Sequence, residues 1–196
     1  MMVTMTIILV ALALVGTLFS RALAVRQRES SRTDALTAAQ AALNVISREV
    51  ANSGYGLVDN GIVFADSTIN RIHIRSNVTN ANSVLTDQGE NVTYYFDPLS
   101  QSILRHDANG DGIGVAQTSI VVNRISDLNF QYFNYVLGNP IGTADVVPSF
   151  NTGRVRVTVR VKLEDVADQM GQVKQQEVVL VSDVTLRNSD YMLRQY

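Results

Sequence analysis

The run Met1 to Ser20, MMVTMTIILVALALVGTLFS, carries no charged side chain, and Arg21, Arg26, Arg28 and Arg32 come directly after it. Its polar groups are the hydroxyls of Thr4, Thr6, Thr17 and Ser20, which can bond back onto a helix backbone. A helix of about 20 residues at ~1.5 Å per residue spans about 30 Å, the thickness of a bilayer core. Such a segment must be covered by lipid or by other apolar surface. A cleaved signal peptide needs a basic start and a small-x-small cleavage site. Ala22-Leu23-Ala24 supplies the second, but nothing basic precedes the run. A plain single-pass anchor fits the length, yet arginines on its C-terminal flank would hold that side in the cytoplasm.

The chain beyond the apolar run narrows the choice. No Pro and only Gly16 interrupt the residues between Met1 and Ala51. Leu36, Ala39, Leu43, Ile46 and Val50 recur at alternating steps of three and four, so they form one stripe on a helix. Thr37, Gln40, Asn44, Ser47, Arg48 and Glu49 occupy the other faces. Gly54 is placed to cap the C-terminus. The pattern predicts one helix of about 50 residues, about 75 Å long, weakest at Ser30 to Asp34. Its first part is apolar all round. Its second part needs a sheet or a partner over one stripe, which a simple anchor would not.

From Gly61 onward the period changes to two. Ile69 to Arg75, Asn91 to Phe96, Ser102 to Arg105, Thr118 to Asn123 and Leu128 to Val136 read as strands. Gly153 to Leu163 is the clearest, with Val155, Val157, Val159, Val161 and Leu163 on one face and Arg154, Arg156, Thr158, Arg160 and Lys162 on the other. Gln176 to Arg187 repeats the pattern. Asn139-Pro140 and Val147-Pro148 mark an irregular stretch, and Glu164 to Gln175 a polar loop. The fold class is therefore α+β: a helix over residues 1–54, then a head over residues 55–196 whose antiparallel sheet has one face on the helix and one in water.

The chain has no Cys, no Trp and only His73 and His106. That removes disulfides, thiolate metal sites and cysteine nucleophiles. His106 beside Asp107 lacks a nucleophile at a motif position, so no catalysis is expected. The net charge of −2 gives no field toward nucleic acid, and no specific nucleic-acid partner is expected. The basic strand face of Arg154, Arg156, Arg160 and Lys162 reads instead as solvated and paired with Glu177 and Asp183.

One loop invites a metal. Asp107-Ala108-Asn109-Gly110-Asp111-Gly112-Ile113 has the D-x-N-x-D-G spacing of calcium loops. Asp107, Asn109 and Asp111 would offer side-chain oxygens, Gly112 the turn and Ile113 its carbonyl. Thr118 stands where a bidentate Glu would close the shell. Calcium is the one cofactor expected; the competing reading is a plain turn between strands.

Taken in order, three segments resemble a known family. Leu43-x-x-Ile46-Ser47-Arg48-Glu49-Val50-Ala51-Asn52-Ser53-Gly54-Tyr55-Gly56, Ile125-Ser126-Asp127-Leu128-Asn129-Phe130-Gln131-Tyr132, and Val181 to Asn188 resemble the helix end, a middle strand and the last strand of type IV pilins. The likeness is to PilW-type minor pilins and to the J-class pseudopilins of type II secretion. It implies a structural subunit of a pilus or pseudopilus. Such a subunit sits in the bacterial inner membrane after loss of a basic leader, then assembles with itself or other pilins through the helix. The finished filament lies outside the cell or in the periplasm. The family's usual Phe at position 1 and Glu at position 5 are Met1 and Met5 here. A membrane-anchored extracytoplasmic binding or sensor domain is the alternative.

Overall fold

The computed structural model describes residues 2–79, 84–111, 114–145, 147–163, 166–167, 173–174 and 176–193. Helix α1 runs unbroken over Met2–Ala51. It passes through the weak stretch, where the Thr33 hydroxyl donates to the Glu29 carbonyl at 2.9 Å. Beyond α1 the described residues form a 3-10 turn (Phe64–Asp66) and ten strands, closing with a short helix α2 (Asp190–Leu193).

The strands make two four-stranded antiparallel sheets where the periodicity predicts one. The first has the order β1-β2-β3-β4, with β1 Arg71–Arg75, β2 Asn91–Asp97, β3 Ser102–Asp107 and β4 Gln117–Val122. The second has the order β10-β7-β5-β6, with β5 Ile125–Val136, β6 Asn139–Asp145, β7 Thr152–Lys162 and β10 Glu177–Thr185. A two-stranded hairpin, β8 (Val166–Ala167) and β9 (Val173–Lys174), stands in the expected polar loop.

Residues 139–145 are a further correction, because a strand occupies what reads as irregular. Leu137 and Gly138 both have positive φ, 50° and 81°, the signature of a tight two-residue hairpin turn. Pro140 is tolerated because β6 is an edge strand and needs no N–H there.

Both sheets and the second half of α1 share one core. From the helix come Ala35, Ala39, Ala42, Leu43, Ile46 and Val50. The first sheet adds Ile72, Ile74, Val92, Tyr94 and Ile103, and the second Leu128, Phe130, Tyr132 and Val155 to Val161 at alternate positions. The sheets are stitched by the Phe130 N–H donating to the Ile69 carbonyl at 2.6 Å and the Tyr132 hydroxyl donating to the Thr68 carbonyl at 2.9 Å. Burial pushes the Tyr132 phenol above its ordinary range.

Gly54 comes after the helix with φ +78°, and a Cβ there would meet the Asp59 carbonyl oxygen at 2.4 Å. Only Gly fits that turn. The chain end seals it from the other side. The Asn188 side-chain amide donates to the carbonyls of Gly54, Leu57 and Asp59 at 2.6–3.0 Å, and the Arg187 N–H to the Ala51 carbonyl at 3.0 Å.

Candidate membrane and assembly surface

The helix has two different environments. Residues 3–30 are exposed on every face, although Val3, Ile7, Leu9, Leu12, Leu14, Val15, Leu18 and Phe19 are large and apolar. From Ala35 onward one stripe is buried. The first part is long and apolar enough to cross a membrane, and none of its most apolar 18-residue window is buried in the head. Exposed apolar surface on this scale marks a site that other apolar matter covers. The Thr17 and Ser20 hydroxyls return their hydrogen bonds to the Leu14 and Gly16 carbonyls, so they present little unsatisfied polarity to lipid.

The apolar surface continues onto the head. Leu36 and Ala41 of α1 face Val178 and Leu180 of the edge strand β10 across a groove of about 520 Å³. The Ser47 hydroxyl donates to that of Ser182 at 2.9 Å on the same seam.

A charged staple joins α1 to the first sheet. Arg105 of β3 donates to the Glu49 carboxylate at 3.2 Å and to Asp107 at 3.1 Å. Tyr94 lies buried beside this pair; desolvation pushes its phenol well above the ordinary value, and the Glu49 charge adds to the rise.

The expected calcium loop falls at the end of β3. Asp107 is 2% exposed and fully engaged. One oxygen accepts from the Asn109 N–H at 3.1 Å, the other from the Gly89 N–H at 2.9 Å and from Arg105. The Asn109 side-chain nitrogen donates to the Leu85 carbonyl at 2.9 Å, a bond that leaves its Oδ1 uncommitted, and Asp111 accepts from the Val115 N–H at 2.8 Å. Gly112 and Ile113 lie outside the described residues. Among the described residues no group of three or more His, Cys, Asp or Glu converges to hold a metal. The Arg105 guanidinium at Asp107 opposes a second cation there. We therefore expect millimolar calcium to leave the melting temperature of the full chain within about 1 °C. A rise of several degrees, abolished by Asp111→Ala, would bear out the calcium reading.

The basic strand face is neutralised locally. Arg156 grips Asp183 of β10 through two hydrogen bonds at 2.7 and 2.9 Å, and holds that carboxyl below the usual carboxylate range. Arg160 meets Asp127 of β5 at 3.5 Å. The Arg154 guanidinium sits 4.3 Å from the Phe133 ring centroid. Glu177 lies opposite Lys162 in the register. His73 bridges Asp66 at 3.0 Å and the Asn91 side chain. At the chain end Tyr191 stacks on Tyr135, ring centroids 4.1 Å apart; Tyr196 lies outside the described residues.

Comparison with protein-family models, with curated proteins and with solved structures finds no match.

Proposed function

We propose that the chain is a non-catalytic structural subunit of a type IV pilus-like filament or pseudopilus. One observation carries this reading: a single 50-residue helix is apolar and uncovered over its first part, yet held in the head by its second. An anchor alone does not require that rigid continuation. A subunit that exchanges lipid for neighbouring helices does, since the same surface serves in both settings. The groove between α1 and β10 extends it. The order of the helix-end, middle and last-strand segments supports the pilin resemblance. On this reading the subunit waits in the bacterial inner membrane, and its head faces outward in the finished filament.

Immunogold electron microscopy of sheared surface material, from cells expressing a tagged chain, tests the proposal. Label along thin fibres makes this a main subunit. Label at fibre ends alone gives it a minor, tip-proximal place. A chain that stays in the membrane fraction as a monomer, with no fibre label, would sink the filament reading and leave the anchored binding domain.

A further inference from the structure

The outer face of the first sheet carries an arrangement away from the apolar helix. Arg71 lies opposite Tyr95, and Thr93 opposite His106, on the neighbouring strands β1, β2 and β3. These four side chains line a shallow cavity of about 300 Å³. The register fixes them on one face: Ile72, Val92 and Tyr94 point into the core between them, so their neighbours point out.

The cavity gathers several side chains with free hydrogen-bonding capacity on one spot, whereas the unpartnered Nε atoms of Arg75 and Arg154 are buried. Elsewhere on the head several arginines are held by partners: Arg105 by Glu49 and Asp107, Arg156 by Asp183, Arg160 by Asp127, Arg187 by Asn52. Around the cavity, among the described residues, the Arg71 guanidinium, the Tyr95 hydroxyl and the Thr93 hydroxyl have no protein partner. His106 is held through Nδ1 by the Thr118 hydroxyl at 2.9 Å, which leaves Nε2 for a ligand. One planar cation, two hydroxyls and one imidazole nitrogen thus converge on a concave spot with an aromatic wall.

We propose that this cavity binds a carboxylate-bearing sugar, such as a uronic acid unit of an acidic polysaccharide. The guanidinium fork matches a carboxylate through two parallel charge-assisted hydrogen bonds. The Tyr95 ring offers a flat apolar face to the sugar ring, while Thr93 and His106 can exchange hydrogen bonds with its hydroxyls. A sugar unit suits a shallow, open depression where a larger apolar ligand would stay largely in water. The site does not depend on whether the chain assembles, so its failure leaves the filament reading untouched.

The test is calorimetric titration of the full chain in lipid nanodiscs with galacturonate trisaccharide, glucose and inorganic phosphate. The trisaccharide should bind and glucose should not. Arg71→Gln should weaken binding by about tenfold or more, the usual consequence of losing a charge-assisted pair. Arg71 is exposed, so this variant should melt as the parent does. Tyr95→Phe provides a second variant that keeps the ring, and it should weaken binding less. Arg160→Gln, on the other sheet, should bind as the parent does. No heat from the trisaccharide, binding that survives Arg71→Gln, or phosphate binding as tightly as the sugar would each overturn the assignment.

Discussion

Ile46→Asp should leave the head unfolded. Ile46 is 0% exposed and lies in the core shared by α1 and both sheets. A carboxylate there would be buried without a partner, and protonating it would still leave a hydroxyl and a cavity in apolar surroundings. The expected cost is about 5 kcal/mol or more, comparable with the whole stability of a typical domain. Asn44→Asp, two residues earlier on the exposed face, should change stability by less than about 0.5 kcal/mol. Limited proteolysis of the two variants in membranes decides the matter. Rapid digestion of residues beyond the helix in Ile46→Asp alone is the expected result; equal resistance would mean that the head does not rest on this stripe.

Leu12→Arg should spare the head and abolish the helix's role. Leu12 is exposed midway along the apolar run. An arginine at that depth costs about 2.5–3.5 kcal/mol on membrane-insertion scales, and more where no lipid headgroup or water can be reached, as between packed helices. If the proposed filament role holds, fibre counts should fall at least tenfold, while the purified chain in detergent keeps the parent melting temperature. Normal fibre numbers would show that Leu12 touches neither lipid nor a neighbouring helix.

These two substitutions rest on parts of the molecule legible in the sequence. The stripe Leu36, Ala39, Leu43, Ile46 and Val50 is readable because large apolar residues recur at helical spacing. The buried face also includes Ala35 and Ala42, while Leu36 is only half-buried. A methyl side chain carries little pattern signal, yet both alanines lie in the core. The alternation in β7 is legible because one face of the strand packs on the core while the other carries Arg154, Arg156, Arg160 and Lys162. Partition of the strands into two sheets is not, since pairing depends on contacts distant in sequence. Strand β6 escapes because its signal lies in the backbone of Leu137-Gly138 rather than in periodicity. At the candidate loop the spacing motif names the residues but not their hydrogen-bond partners. The residues at that spacing are present, but Arg105 and Gly89 already claim the first carboxylate. The sugar cavity is invisible for a related reason: Arg71, Thr93, Tyr95 and His106 have no common motif, and the register alone brings them together.

The clamp between the chain end and the helix end also sets an order of events during synthesis. Asn188 binds the Gly54 carbonyl across a separation of 134 residues, and strand β10 precedes it directly. The apolar segment leaves the ribosome before the head does and can enter a membrane while the head is still being made. The head cannot close until Asn188 is made, roughly ten seconds after Gly54 at common translation rates of about 5–20 residues per second. Throughout that interval the half-built sheets offer unpaired strand edges beside the bilayer. A nascent chain of this design is therefore most exposed to proteases and to mispairing before Arg187 and Asn188 emerge, and a truncation just ahead of Arg187 would leave it there.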